Sequence, residues 1–264
     1  MGCALRTVVI ADFDGTITEK SVGLGLLIKY GRGDFWRIEE EFCRGEKTLK
    51  QAVGEQFSMV EATREEVRSF VAQSVRLRHY FPEFLGWCRH NGIPFVIATE
   101  GLDVVVDAAL RAHHLGSVSM YADEAVFADA AAKSDGERPR IAVRAVPAQA
   151  SPAGPVTGGK PSSRLVGVKF PNASPDPASC DFCGVCKTHL VRKYQDEGYR
   201  VIYVGDGSTD FCAGPMADVL YARDDLLHYC REKGIPARPW RDWRDVRASI
   251  EDEIVLAAKT RRAT

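Results

Sequence analysis

The sequence predicts an α/β fold with a parallel, Rossmann-like sheet, because short apolar runs alternate with stretches of helical spacing. The runs are rich in β-branched residues, as buried parallel strands are. Strands separated by helices favour one parallel sheet with helices packed on its faces. Four clear runs and a weaker one occupy residues 7–11, 95–98, 201–204, 219–222 and 118–121.

The segments between these runs carry the start and stop signals of helices. Pro82 suits the first turn of one helix, and Gly92 follows its last turn. Apolar residues at helical spacing predict three further helices, which end before Gly116, Gly198 and Gly234. Helices therefore alternate with the predicted strands along most of the chain.

Residues 20–79 interrupt this alternation, because they contain no convincing strand. Phe35 and Ile38 share a helix face, and Thr63 with Glu66 forms the sequence pattern of a capping box. We therefore predict a small helical cap inserted after the first strand.

A second interruption, residues 122–179, is rich in proline and glycine between 147 and 161. That composition predicts a long loop at the tip of a hairpin. Strand-like pieces flank it at 125–127, 141–143 and 165–168. The predicted organisation is a core domain of residues 1–19 and 80–264, which includes this insertion, and a cap domain of residues 20–79.

The composition restricts the functional class. Lys plus Arg total 35 and Asp plus Glu total 36, and this balance argues against nucleic-acid binding. With 45% hydrophobic residues, the chain has enough apolar surface to fold. No apolar run is long enough to span a membrane, and the first residues do not resemble a signal peptide. We therefore expect a cytoplasmic protein without membrane or nucleic-acid partners.

Carboxylates follow two of the predicted strands. Asp12 and Asp14 follow the first, where Gly15 permits a sharp turn, and Asp206 and Asp210 follow the strand at 201–204. Parallel strands end at one edge of a sheet, where ligands of such folds bind. Four acids there repel each other unless a cation neutralises them, and a few hard oxygen ligands suit Mg²⁺.

Anion-binding groups are expected at the same edge. Thr99 follows the second strand, and Glu100 and Gly101 come next, where we expect a helix to begin. A hydroxyl and backbone N–H groups at a helix N-terminus can bind phosphate. Lys187, at the start of a later helix, would add a positive charge.

These motifs resemble those of the haloacid dehalogenase (HAD) superfamily. Asp12-Phe-Asp-Gly-Thr, Thr99, Lys187 and Gly205-Asp-Gly-Ser-Thr-Asp210 occur in the order of the four HAD motifs. The helical insertion is similar to the cap of the phosphoserine-phosphatase-like branch. Within that branch the residues from Asp12 to Thr18, the cysteines before Lys187, and residues 221–227 resemble the methionine-salvage phosphatases.

The resemblance implies Mg²⁺-dependent hydrolysis of a small phosphorylated metabolite. Asp12 would attack phosphorus and form an aspartyl-phosphate, while Asp14 would act as acid and then as base. The Asp12 carboxylate, the Asp14 backbone carbonyl and Asp206 would hold Mg²⁺, and Asp210 would orient the metal waters or Lys187.

The phosphoryl oxygens would be held by Thr99 and Lys187, beside Glu100 and Gly101. Glu100 occupies a position where relatives often carry glycine, and we expect it either to pair with a cation or to face a positive group of the substrate. Asp14 argues against a dehalogenase, which does not use that residue as acid and base. A phosphotransferase that passes phosphate to an alcohol and a non-catalytic phosphate-binding module remain alternatives.

Cys180, Cys183 and Cys186 form a C-x2-C-x2-C pattern. Two-residue spacers let consecutive thiolates converge on one ion, so a structural Zn²⁺ site is one interpretation. The spacing lacks a fourth ligand, for which His189, Asp181 or a distant cysteine could serve. Reduced thiols packed in a tight loop are the alternative.

Overall fold

A mostly parallel sheet of seven strands runs through the described part of the protein, residues 6–128, 164–178 and 180–262 of a computed structural model. Its strands lie in the order β4-β3-β2-β1-β5-β6-β7, and only β3 and β4 pair antiparallel. The α/β prediction is confirmed. The strands are β1 (Arg6–Ala11), β2 (Phe95–Leu102), β3 (Ser119–Phe127), β4 (Leu165–Lys169), β5 (Tyr199–Gly205), β6 (Val219–Ala222) and β7 (Arg238–Pro239).

Strand β1 lies in the middle of the sheet, between β2 and β5. Ala11 pairs with Ile97 on one side and with Val204 on the other. The residues that follow these three strands therefore emerge side by side at one sheet edge.

Helices cover both faces of the sheet. Val9 of β1 belongs to one buried cluster and Ile10 to a second cluster on the opposite face, as the alternation of strand side chains requires. Among the described residues no helix is long and apolar enough to cross a membrane. The helices are α1 (Val22–Tyr30), α2 (Phe35–Cys43), α3 (Leu49–Ser58), α4 (Arg64–Ser74), α5 (Phe81–His90), α6 (Asp103–Ala112), α7 (Lys187–Asp196), α8 (Asp224–Lys233) and α9 (Trp243–Arg262).

The segment between β1 and β2 carries helices α1 to α4, which we call the cap helices. The capping box of α4 has both of its hydrogen bonds, between Thr63 and Glu66. A second capping box, between Thr48 and Gln51, begins α3, which the apolar spacing did not predict. Helix α3 packs against β4 and α4 packs against α6. The division into a core and a cap domain stays a prediction.

The antiparallel pair of β3 and β4 frames the proline-rich insertion. Ala125 pairs with Val168, so two of the predicted strand-like pieces, 125–127 and 165–168, lie in these strands. The third piece, 141–143, and the loop at 147–161 lie outside the described residues.

Candidate active site

The site begins where β1 ends. The Asp12 amide donates a 3.0 Å hydrogen bond to the carbonyl of Val204 in β5, which continues the strand pairing by one residue. Asp12 is 6% exposed. Asp12 therefore has a fixed position at the end of β1, and its carboxylate is buried at this edge of the sheet.

The turn after Asp12 places the next polar groups. Gly15 has a φ of +80°, in the left-handed region, and a Cβ there would overlap the carboxylate of Asp206. The Thr16 hydroxyl donates a 2.5 Å hydrogen bond to Oδ1 of Asp206. Asp206 thus sits against the first turn of the chain, and only glycine at position 15 leaves room for it.

Asp14 connects the turn to the cap helices. Its Oδ1 accepts a 2.8 Å hydrogen bond from the amide of Val22, the first residue of α1. Burial raises the pKa of Asp14 to about 6, against the lowering effect of the amides of Val22 and Gly23. Burial therefore shifts this carboxyl group towards its protonated form.

Lys187, the first residue of α7, lies among acidic groups and is 3% exposed. Its Nζ is 2.8 Å from Oδ1 of Asp12, 2.8 Å from Oδ1 of Asp210 and 3.0 Å from Oγ1 of Thr209. Burial alone would lower the pKa of Lys187, but the two carboxylates raise it well above its ordinary value. The ammonium is therefore charged.

Asp210 is fully buried and held by several donors. It accepts hydrogen bonds from Lys187 at 2.8 Å, from the Tyr203 hydroxyl at 2.7 Å, and from the amides of Asp206 and Gly207 at 3.1 and 3.3 Å. Most of its acceptor capacity is used, so it fixes the position of Lys187 and of the turn after β5.

Among the described residues, three carboxylates lie close enough together to bind a metal ion. Ligand atoms of Asp12, Asp206 and Asp210 lie within 4.8 Å of one another. Burial raises the pKa of Asp206 to about 6 and that of Asp12 well above its ordinary value. Crowded, desolvated carboxylates favour a cation, and hard oxygen donors match Mg²⁺. The donor set therefore fits that ion.

Thr99 and Gly101 contribute polar groups next to these three carboxylates. Thr99 is 2% exposed, and its Oγ1 accepts a 3.0 Å hydrogen bond from the amide of Gly101.

The expected helix start at Glu100 is wrong: β2 continues to Leu102, and α6 begins at Asp103. The Asp103 carboxylate stabilises that later start by accepting a hydrogen bond from the Val104 amide.

The Glu100 carboxylate is bound by backbone amides of a distant segment. Its carboxylate accepts hydrogen bonds from the amides of Gly184, at 2.9 Å, and Val185, at 3.3 Å. These amides belong to the segment that leads into α7. Glu100 therefore ties β2 to the approach to Lys187 through the backbone, with no cationic partner among the described ion pairs.

Two residues next to the site, Arg78 and Asp123, were not predicted from the sequence. Arg78 donates a 3.1 Å hydrogen bond to the carbonyl of Thr16 and a further bond to that of Gly15. Asp123 in β3 is fully buried, and neither of its carboxylate oxygens has a hydrogen-bond partner. Burial, with the charges of Glu100 and Asp103, raises the pKa of Asp123 to about 9. A single acid in a strand gives no sequence signal of such an environment.

A cavity of about 420 Å³ joins the sheet edge to the cap helices. None of its described lining residues is Lys, Arg or His. The core contributes Asp12, Asp14, Thr99, Glu100, Gly101, Gly207, Ser208, Thr209 and Asp225, and the cap helices with the residues before them contribute Ser21, Gly23, Leu24, Leu27, Phe35, Trp36, Glu39, Val53, Gln56 and Phe57.

The possible zinc site receives no support. Cys180, Cys183 and Cys186 line a second cavity, of about 500 Å³, together with Cys212. Their sulfurs do not form a group within 4.8 Å among the described residues. Burial raises the pKa of Cys183 to about 12. The three cysteines are close in sequence, but their sulfur atoms do not converge on one site in the structure.

Comparison with known proteins agrees with this arrangement. The family model for haloacid dehalogenase-like hydrolases matches residues 9–151. A 2-hydroxy-3-keto-5-methylthiopentenyl-1-phosphate phosphatase of Geobacillus thermodenitrificans is 27% identical over 96% of this chain and 99% of its own length. One of the same name from Bacillus velezensis is 25% identical, over 92% and 89%.

Solved structures share the fold. A substrate-bound phosphoserine phosphatase complex superposes with a TM-score of 0.61 and 15% identity, covering 93% of this chain and 99% of the other. A phospho-aspartyl intermediate analogue of phosphoserine phosphatase gives a TM-score of 0.59 at the same identity and coverage.

Proposed function

Because the chain belongs to the haloacid dehalogenase-like hydrolase family, we propose that it is a Mg²⁺-dependent phosphatase of small phosphomonoesters. The observation that carries this proposal is the position of Asp12. It lies at the end of the central strand, lines the cavity and is 2.8 Å from the buried ammonium of Lys187. A carboxylate in that place can serve as a nucleophile.

In the proposed reaction, Oδ of Asp12 attacks phosphorus and the bond from phosphorus to the leaving oxygen breaks. The product is an aspartyl-phosphate, which water then hydrolyses to regenerate Asp12. Lys187 is placed to attract the phosphoryl oxygens, on which negative charge must be stabilised. The Thr99 hydroxyl offers a further donor at the same corner of the cavity, because its oxygen accepts from the Gly101 amide and its proton is left for a ligand.

Asp14 is proposed as the general acid and base. It lines the cavity next to Asp12, and its pKa of about 6 suits proton transfer near neutral pH. Its proton goes to the leaving oxygen in the first step, and its carboxylate takes a proton from water in the second. The hydrogen bond from the Val22 amide holds it in position and connects it to the cap helices.

Asp12 and Asp206, with the backbone carbonyl of Asp14, would hold Mg²⁺, while Asp210 orients Lys187 and the turn that carries Asp206. When bound, the ion would neutralise charge on the carboxylates and on the phosphate. The 4.8 Å grouping of the aspartates supports this assignment.

The relatives of this chain suggest one substrate to test first. At 25–27% identity and near-complete coverage, they are named for 2-hydroxy-3-keto-5-methylthiopentenyl-1-phosphate. That compound, phosphoserine, phosphoethanolamine, sugar phosphates and nucleotides form a suitable panel. The measurement is phosphate release with Mg²⁺, with EDTA, and with Asp12→Asn.

We expect release that depends on Mg²⁺ and is lost in Asp12→Asn. Adding an alcohol as a phosphate acceptor separates hydrolysis from transfer, because a phosphotransferase would form the alcohol's phosphate ester faster than free phosphate. Binding of phosphomonoesters without turnover on any member of the panel would contradict the proposal and favour a phosphate-binding module.

A further inference from the structure

Resting on the proposed function, we propose that the cavity selects phosphomonoesters whose leaving group carries a positive charge, such as an ammonium or trimethylammonium group. The recognition surface is on α2, where Trp36 and Glu39 lie three residues apart and so share a helix face. Both line the same cavity as Asp12. Nothing in the chemistry of phosphate transfer requires these two side chains.

The charge of the cavity wall is the first argument. Glu39 has no cationic partner among the ion pairs of the described residues, whereas its neighbours on α2 do: Glu40 and Glu41 pair with Arg44 and Arg37. Oε2 of Glu39 instead accepts a 3.0 Å hydrogen bond from the side-chain amide of Gln56. A neutral donor holds this carboxylate in place without neutralising its charge.

The aromatic side chains of the same wall are the second argument. Trp36 is 52% exposed, and its ring lies 5.0 Å from that of Phe35. Phe57 of α3 lines the cavity as well. The face of an indole ring attracts cations, and aromatic rings are the groups that recognise quaternary ammonium ligands. An exposed Trp at this position can contribute to substrate binding.

The third argument is the absence of Lys, Arg and His from the described lining of the cavity. A substrate carboxylate would meet Glu39 with no compensating cation, which disfavours phosphoserine through desolvation and repulsion. Lys187 does not serve this purpose, because it is buried between Asp12 and Asp210 at the phosphate end. The inference also separates this chain from its relatives, since the substrate in their name has no cationic group.

Two esters of the same shape test the inference directly. Phosphocholine and 3,3-dimethylbutyl phosphate differ by one atom, a positively charged nitrogen in place of carbon. We expect kcat/KM to be about tenfold higher for phosphocholine. A factor of this size is the effect expected of a cation–π contact next to a carboxylate. Equal values, or a preference for the neutral ester, would overturn the inference.

Variants identify the side chains that are responsible. In Glu39→Gln and in Trp36→Leu, the preference for phosphocholine over the neutral ester should fall by at least about threefold. Glu40→Gln is the matched control, because Glu40 is an exposed acid on the same helix that pairs with Arg44 and does not line the cavity. Its preference should equal that of the unmodified protein. An equal fall in the control would show a long-range charge effect and contradict the assignment to Glu39.

A binding measurement separates this inference from the proposed function. Calorimetry of Asp12→Asn with Mg²⁺ and each ester reports recognition without turnover. Tighter binding of phosphocholine with no hydrolysis by the unmodified protein would support the cation site and contradict the phosphatase. Hydrolysis of both esters with no difference in kcat/KM or affinity would leave the phosphatase standing and reject the cation site.

Discussion

The Nζ of Lys187 lies 2.8 Å from Oδ1 of Asp12, although the two residues are 175 positions apart in the chain. The side chains of both are at least nine-tenths buried. Burying an ion pair costs desolvation free energy, and the second carboxylate on Lys187, that of Asp210, leaves the group with more negative than positive charge. Such an arrangement is poorly explained by stability alone and suits a site that binds a cation and an anion.

Replacing Lys187 should therefore destabilise the protein strongly. Lys187→Met leaves Asp12 and Asp210 buried without their cation, and we expect the free energy of unfolding to fall by about 3–5 kcal/mol at pH 7. Tyr203→Phe is the comparison, because it removes one 2.7 Å hydrogen bond to Asp210 and should cost about 1–3 kcal/mol. Urea unfolding measures both. A Lys187→Met protein as stable as the unmodified one would show that the acids need no cation.

Asp12→Asn should abolish turnover and preserve the fold. The carboxamide keeps the shape of the side chain, and Lys187 keeps its second carboxylate partner, Asp210. Loss of a nucleophile should lower kcat by at least about 1,000-fold. Phosphate release and the thermal unfolding midpoint are the two measurements. A folded variant that kept a substantial part of the activity would refute Asp12 as the nucleophile.

Gly15→Ala should inactivate the site, while Gly45→Ala should not. Both glycines have positive φ, +80° and +74°, so alanine at either position costs about 1–2 kcal/mol of backbone strain. A Cβ at position 15 overlaps the Asp206 carboxylate, whereas one at position 45 meets nothing within 4 Å. The expected result is a loss of stability in both variants, larger in Gly15→Ala because of that overlap, and a loss of Mg²⁺-dependent phosphate release only in Gly15→Ala. Equal activity in the two variants would mean that the position of Asp206 is unimportant.

Asp123 should make the protein less stable as the pH rises. Its pKa is about 9 in the folded state, against about 3.9 for an ordinary Asp, so the folded state holds its proton longer. The stability contribution of Asp123 is fully present below about pH 4 and is lost as the pH rises towards 9, with a slope of about 1.4 kcal/mol per pH unit.

Asp123→Asn removes this titration. Between pH 5 and pH 8, the free energy of unfolding of the variant should fall less steeply than that of the unmodified protein. The difference in slope should be about 1.4 kcal/mol per pH unit, the value for one proton. Urea unfolding at several pH values gives both curves. Parallel curves would show that Asp123 ionises in the folded state as it does in the unfolded one. Asp107→Asn is a suitable control, since Asp107 is a partly exposed acid that pairs with Arg111.

The α/β class and much of the site chemistry were predictable, because their signals are local. A strand followed at once by Asp12 or Asp206 places the carboxylate at the strand's end, whatever the rest of the chain does. Start and stop signals were equally informative for α4 and α5. Thr48 and Gln51 carry the same kind of local signal for the start of α3, a capping box.

Contacts between distant segments could not be predicted. The turn of Glu100 towards the amides of Gly184 and Val185 depends on where the approach to α7 crosses β2. The burial of Asp123 depends on what packs over β3, where a Cβ on Gly184 would overlap its carboxylate. The cysteine spacing predicted convergence of three thiols that the fold does not produce.

The sequence by itself determined the core strands, most of the helices and the chemical groups at the strand ends, since these follow from local periodicity and from the residues next to each strand. Only the tertiary structure decided how Lys187 reaches Asp12 and Asp210, and that Trp36 and Glu39 line the same cavity as Asp12. The physical reason is that such encounters depend on strand register and helix packing across long separations in the chain. Burial then changes the charge and affinity of the groups that meet.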